Sequence, residues 1–387
     1  MSTPNTLTNL IPTLYEALDV VSRELVGFIP AVTRDSGVQR AAIGQTVYSF
    51  VAPASTAGDI TPAVTPPDDG EQVIGSVSIA VTKARRVPIR WQGEETLQMN
   101  NGGPGASAIR VNQFAQAMRT LTNEIETDLA ALHTTTSRAY GTATTNPFAS
   151  TLVDPANVRR ILSDNGAPLS DLQMVIDTGA GAAMRTLAQL TKANEANDAT
   201  MLRQGVLLDI HGFAIRESAQ VKRPAAGTGA SATTNTAGYA VGATVITLAS
   251  AGTGTIVAGD VITFAGDTNK YVVSAGDTDV SNGGTITLAA PGLKVALAAS
   301  AVAITVVAIS TRNMGFARTA LILATRLPAL PDGGDMAVDR TTITDPRSGM
   351  SFEVAMYAQY RQMQYEISAA WGVKNVKTEH TAILLGA

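Results

Sequence analysis

The run from Ile109 to His133 is the longest helical signal in the chain, and it places Phe114, Met118, Leu121, Ile125, Leu129 and Leu132 on one stripe. Arg119, Glu124, Glu126 and Asp128 fall largely off that stripe. A helix of roughly 25 residues is about 37 Å long at 1.5 Å per residue, longer than a typical helix, and it reads as a strut. A second stripe, Leu7, Leu10, Leu14, Leu18, Val21 and Leu25, predicts an amphipathic helix with Asn9 as its cap and Pro12 in its first turn. An apolar stripe there needs cover, from the rest of the chain or from a neighbouring subunit.

Between the two helices the pattern turns to β. "TVYSFV", a turn-rich stretch "APASTAGDITPAVTPPDDGEQ", then "VIGSVSIAV" and "RRVPIRW" read as one long hairpin over residues 46–90. Its loop far exceeds the 2–5 residues usual for a hairpin, so it is either disordered or held by a partner. Residues 154–220 alternate: a helix from Asp154-Pro155, a strand "LQMVID", a helix "GAAMRTLAQL", and a β-pair "VLLDI" and "FAIRES" hinged at His211-Gly212. "RPAAGTGASATTNTAG", 223–238, reads as a small-residue linker. Five strands follow, "TVITL", "VITF", "KYVV", "TITLA" and "AITVVAI", punctuated by Gly-Asp at 259/260, 266/267 and 276/277. The mixed pattern then resumes with "ALILATRL", "SFEVAMYAQY" and "MQYEISAAWGV", so the β-module reads as an insertion able to fold semi-independently.

The chemistry of enzymes is hard to find in these residues. There is no cysteine, which excludes disulfides, thiolate metal sites and a cysteine nucleophile. His133, His211 and His380 have no metal-ligand spacing, and His211 reads as a turn residue. "GAGAAM" at 179–184 begins like a dinucleotide fingerprint, but Met184 stands where the third glycine is needed, so it reads as a helix N-terminus. Asp277, Asp279 and Ser281 mimic the start of a calcium loop, yet Asn282 replaces its glycine and Leu288 its bidentate glutamate, leaving an interstrand turn. A formal charge of −4 argues against specific nucleic-acid binding. "VALAASAVAITVVAI", Val295 to Ile309, is too short for a membrane span, and "MSTPNTLTNLIPTLYEAL" lacks the basic and apolar regions of a secretory signal, so a cytoplasmic start is expected. The charges of the hairpin stand out instead: Asp68, Asp69 and Glu71 in its loop, and Lys83, Arg85, Arg86 and Arg90 on its return strand. Solvated surface explains them simply, but opposite-sign patches on a projecting arm also suit docking onto copies of itself.

The order of these parts resembles the major capsid proteins of tailed phages, the fold named for Hong Kong phage 97. More narrowly it resembles the gene-five coat protein family of short-tailed phages, in which a β-barrel-like domain interrupts the axial domain. The residues that carry the resemblance are the hairpin at 46–90, the helix at 109–133, "RQGVLLDIHGFAIRESAQV" at 203–221, "NMGFARTALILATRLPAL" at 313–330 and the tail "DPRSGMSFEVAMYAQY" to "YEISAAWGVKNVKTEHTAILLG". The resemblance implies an α+β fold: an N-terminal arm and helix at 1–45, an extended hairpin loop at 46–92, spine helix and peripheral domain at 93–153, and axial domain at 154–223. An inserted β-domain at 224–309 and C-terminal axial and peripheral parts at 310–387 complete it. It also implies a coat protein that assembles through hexamers and pentamers into an icosahedral shell around double-stranded DNA, built in the host cytoplasm and residing in the virion. Implied partners are copies of itself, a scaffolding protein, a portal and non-specific contact with packaged DNA, with no membrane. The inserted module is then a folding nucleus and an exterior knob. No catalytic, cofactor or metal residue is assigned, and the expected inter-subunit contacts are Asp68, Asp69, Glu71, Arg85, Arg86 and Arg90. Two other readings remain: a tail, decoration or surface-binding protein using the β-module for recognition, and an enzyme with an unrecognised site.

Overall fold

The computed structural model describes residues 10–24, 27–51, 57, 59–65, 75–102, 106–187, 190 and 209–387. Its organising element is helix α4, Ala106–Ala131, 26 residues and so about 39 Å long. Phe114, Met118, Leu121, Ile125 and Leu129 are buried along one side, as their spacing predicts. On one flank α4 is covered by α1, Ile11–Glu24, whose Leu14, Leu18 and Val21 are buried in the same core. The described part of the N-terminal stripe, Leu10, Leu14, Leu18 and Val21, is thus covered by this chain itself, while Leu7, the expected cap Asn9 and Leu25 lie outside the described residues.

The other flank of α4 lies on a six-stranded sheet. Strand β17, Gln362–Asn375, is the pivot of that sheet, pairing antiparallel with β14 (Leu321–Pro328), β16 (Ser351–Gln359) and β4 (Lys83–Gln92). Strand β1, Thr33–Ala41, adds to β14 in parallel, and β15, Asp339–Thr344, closes the far edge. Trp371 of β17 is fully buried beneath α4 and donates its indole N–H to Asp128 Oδ2 at 2.8 Å, while Lys83 Nζ reaches Asp128 Oδ1 at 2.7 Å. Phe114 meets Tyr365 edge to face at 5.7 Å, a geometry worth about 0.5–1.5 kcal/mol beyond the area it buries.

A ten-stranded sheet forms the second layer. Its centre is β18 (Thr381–Gly386), β13 (Thr311–Ala317) and β6 (Leu172–Ile176), every residue of which is buried; β18 and β6 accordingly read as mostly apolar runs rather than alternations, while β13 also buries Thr311, Arg312 and Asn313. Helices α5, Val153–Asp164, and α6, Thr178–Thr186, belong to the unit around them, and Asp177 caps α6 by accepting from the Gly179 N–H at 3.0 Å. "GAGAAM" is indeed a helix N-terminus, and His211 sits in a turn at φ 52°. Strand β7, Phe213–Glu217, pairs in parallel with β6; of its expected hairpin partner "VLLDI", residues 206–208 lie outside the described residues.

All five strands expected in the module form: β8 (Val245–Thr247), β9 (Val261–Phe264), β10 (Lys270–Ala275), β11 (Thr285–Leu288) and β12 (Ile304–Val306). They enclose a core of their own that includes Ile246, Ile262, Phe264, Val273 and Ile286. Two expectations about the module need correcting. Strand β10 also pairs with β5, Arg138–Gly141, which pairs with β18, so the module is continuous with the main sheet. Val261, Val272 and Ala289 pack with Ala139, Ile383 and Leu385 across that seam. Residues 223–238 are not a free linker either: Gly227 N–H binds Asp260, and bridges join Ala230 to Thr253, Thr233 to Ala303 and Thr234 to Leu248. Asp277, Asp279 and Asn282 spend their side-chain oxygens on the N–H groups two residues on, the Asx turns that close a loop.

Glu126 falls off the apolar stripe in sequence, yet it is buried. Its carboxylate accepts from the N–H groups of Phe28 at 2.8 Å and Ile29 at 2.7 Å and from Ser218 Oγ at 3.2 Å. It thereby caps the short helix α2, Phe28–Ala31, and ties the N-terminal arm to α4 and to the end of β7. A Cβ on Gly27 would stand 2.6 Å from Glu126 Oε2, so that approach needs glycine. Burial raises the Glu126 pKa, opposed by the three hydrogen bonds. Glu126→Gln puts an NH2 against one of the two backbone N–H groups and should cost about 1–3 kcal/mol in denaturant unfolding. The pH dependence has a definite sign. A folded pKa above the unfolded one means that stability from this group is full below the unfolded carboxyl value and is lost as pH rises from roughly 4 through the raised value. The wild type should therefore show this loss, and Glu126→Gln should lack it.

Candidate assembly interface

The ribbon of β2 (Thr46–Val51) and β3 (Gly75–Ala80) is the one strand pair among the described residues that belongs to neither sheet. Its register runs from Thr46 opposite Ala80 to Val51 opposite Gly75. The root is anchored: Val81 packs with Ala41 and Ala370, Ile79 packs with Ile322 and Ala324, and Lys374 Nζ donates to Ser78 O at 2.8 Å. There the ribbon crosses β17 at Gly372, where a Cβ would stand 2.0 Å from the carbonyl oxygen of Ala80. Further out, Tyr48 is exposed, and Ile60 and Val64 have essentially their whole surface in solvent.

The expected charge pairing is reshaped by this geometry. Asp68, Asp69 and Glu71 lie outside the described residues. Arg85, Arg86 and Arg90 are not on the return strand of the ribbon, which ends at Ala80; after Val81 and Thr82 the chain enters β4 and joins the main sheet. Two of the three cations already have partners in the same chain, Arg85 with Glu124 at 3.4 Å and Arg86 with Glu366 at 2.7 Å. Arg90, exposed opposite Gln364, makes no ion pair with a described residue. A turn-sized break at 81–82 looks the same in sequence whether the next strand returns along the ribbon or pairs with a strand near the other end of the chain.

Two more projecting features escaped sequence reasoning. The β16–β17 turn presents Tyr360, 90% exposed, beside Arg361 at φ 56°, a left-handed conformation unusual for a residue with a Cβ. The loop before β15 carries Met336, 88% exposed. Its Asp335 is gripped by Arg340 at 2.6 Å and by Tyr357 Oη at 2.9 Å. Burial and then the bond to Asp335 push the Tyr357 hydroxyl up to about 12, so it remains a donor at any ordinary pH. An exposed aromatic beside an arginine and an exposed methionine on a pinned loop are residue types enriched at interfaces. A polar cleft of about 270 Å³ also opens where β5 meets the module, lined in part by Asn146, Asp154, Thr268 and Lys270. There the Lys270 ammonium donates to the Gly141 carbonyl, and burial lowers its pKa. Among the described residues no group of three or more His, Cys, Asp or Glu side chains could hold a metal ion, and no helix is long and apolar enough to cross a membrane.

No family model matches the chain, and no curated protein matches it. Among solved structures it is similar to a chain of Mycobacterium phage Che8, 11% identical over 88% of this chain and 84% of that one, with a TM-score of 0.46. It is similar to the capsid structure of the cyanophage P-SCSP1u, 11% identical over 94% and 88%, with a TM-score of 0.47. It is also similar to the virus-like particle from Pyrococcus furiosus, 9% identical over 97% and 100%, with a TM-score of 0.45.

The in-chain pairing separates the arginines experimentally. Arg86→Glu should lower stability by no more than about 1 kcal/mol, the worth of an exposed pair plus a like-charge contact. Arg90→Glu should leave the melting temperature unchanged, so any effect on association is an interface effect. Gly372→Val should cost about 1–3 kcal/mol, because the atom it strikes is backbone, and should make the 46–80 ribbon the first site cut in limited proteolysis.

Proposed function

We propose that this chain is the major capsid protein of a tailed phage, with the Hong Kong phage 97-type fold and an inserted β-domain. What carries the reading is the combination of a body held together by its own core with a root-anchored ribbon whose outer apolar residues, Ile60 and Val64, find no cover in the described chain. The parts follow the order that the resemblance implies: N-terminal helix, ribbon, long helix, mixed sheet, β-insertion and returning strands. Copies assemble through hexamers and pentamers into an icosahedral shell in the host cytoplasm, with a scaffolding protein and a portal as partners. The acidic balance, −4 overall, suits a wall that contains DNA with at most non-specific contact.

In this reading the work of the protein is association rather than catalysis. The inserted module serves in this reading as a folding nucleus and an exterior knob. A tail or decoration protein would present it as a separate recognition domain, whereas here its strands continue the main sheet through β5. Expression with the cognate scaffold should yield closed shells in negative stain and a large sedimenting species. A chain that stays monomeric at high concentration with scaffold present would overturn the proposal.

A further inference from the structure

The two ends of the inserted module meet where the Arg312 N–H donates to the Lys222 carbonyl at 2.8 Å. Arg312 is 1% exposed, among the largest fully buried side chains of the protein. Strand alternation puts Ser310, Arg312, Met314 and Phe316 on one face, and the last two belong to the core under α4. The guanidinium therefore points into the protein at the margin of an apolar core. Among the described residues none of its three nitrogens has a hydrogen-bond partner, and neither has the hydroxyl of Ser310, itself 0% exposed.

Burial lowers the Arg312 pKa to about 10, with the nearby Asp260 carboxylate opposing, so the group stays cationic at neutral pH. Asp260 is not its hydrogen-bond partner, because the carboxylate is committed to the N–H groups of Gly227 at 3.0 Å and Val257 at 2.7 Å. His133, on the turn that ends α4, lies within the influence of both Arg312 and Lys222. Its Nδ1 is 3.0 Å from the Ala130 carbonyl and so carries the proton there, which leaves Nε2 an unpartnered acceptor. Among the described residues, the charges felt at His133 and Arg312 in this neck are two cations, Arg312 and the half-buried Lys222, against one committed carboxylate, Asp260.

Buried guanidinium donors are seldom left unmade, and a buried charge without a counter-charge is costlier still. Water could accept from the donors and donate to the lone pair of His133 Nε2, but it leaves the positive excess in place. We propose that the neck of the inserted module encloses one small monovalent anion of the halide class, held by the Arg312 guanidinium and the Ser310 hydroxyl with Lys222 completing the charge balance. The size limit follows from burial, since Ser310, Arg312 and Asp260 are all at most 1% exposed. The ion would join three parts: the end of α4, the entry to the module and its exit.

The test uses the full chain with halide as the probe. The melting temperature should rise with chloride or bromide and saturate, while gluconate at the same ionic strength has no such effect. Crystals soaked in bromide should show an anomalous peak beside the Arg312 guanidinium. Lys222→Met, at a half-buried position that tolerates change, should raise the half-saturating halide concentration about tenfold, and Ser310→Ala should weaken it with the fold intact. Arg312→Met should abolish the dependence where it folds, and the two milder variants decide the matter where it does not. Equal melting in chloride and gluconate, or density at the site without a bromide signal, identifies water there and overturns the proposal.

Discussion

Helix α4 can bury its stripe only against something as long as itself, and the remainder of the body is arranged to supply that surface. Strand β17 lies beneath it with 14 residues and is long enough to pair with β14, β16 and β4 together. The Trp371 to Asp128 bond, with Lys83 on the second oxygen, fixes how the helix is placed along the sheet. Glu126, two residues earlier, faces the other way and holds the N-terminal arm through two backbone N–H groups. Adjacent carboxylates on one helix thus bind opposite layers, so the arm, the helix and the sheet cannot shift independently without leaving a buried charge unpaired.

The second sheet carries that order outward. Its central strands are buried on both faces, and β5 passes the hydrogen-bond ladder from β18 to β10 of the module. A module hung on a flexible tether would be free to reorient, whereas one that shares a ladder and an apolar seam of Val261, Val272 and Ile383 keeps the orientation of the body. Its Gly-Asp repeats serve turns. Gly259 and Gly266 sit at φ 89° and 84°, and Asp260 and Asp267 accept from neighbouring backbone or hydroxyl groups. The repeat is turn chemistry, and it holds no metal ligand set among the described residues.

Elements whose signal is local were legible in the sequence. The stripe from Phe114 to Leu129, the five module strands, the helix start at Gly179 and the turn at His211 all stand where their spacing placed them. Elements defined by a distant partner were not. "RRVPIRW" looks like the return of a hairpin until its partner β17 is known, and Arg86 meets Glu366 across 280 residues of chain. Strand β1, "TRDSGVQRA", is too polar to read as a strand and exists because it lies on an edge beside β14. Residues 223–238 carry no apolar side chain larger than alanine or proline and so read as a tether, while their backbone is bridged to the module. Of the six charges singled out as contacts, three fall outside the described residues and two are engaged within the chain. That pairing depends on tertiary placement, which residue spacing does not encode.

The distribution of strong and weak interactions bears on how such a subunit would associate. Association costs rigid-body freedom and the ordering of every side chain newly fixed at the contact. In this chain the bulky and charged groups of the body, Trp371, Phe114, Glu126 and Asp128 among them, are already fixed by partners of their own, so a contact made by the body orders little. The ribbon differs: its root is clamped at Ile79, Val81 and Gly372, which sets its direction, while Tyr48, Ile60 and Val64 further out remain uncovered. Exposed polar contacts are worth only about 0.2–1 kcal/mol each, too little to hold two copies. A closed ring makes each contact again at every subunit, and once most are formed the remainder become intramolecular. If copies associate as proposed, a body held by its own contacts with a root-anchored arm would favour complete assemblies over partial ones, because the strength would lie in closure and not in any single contact.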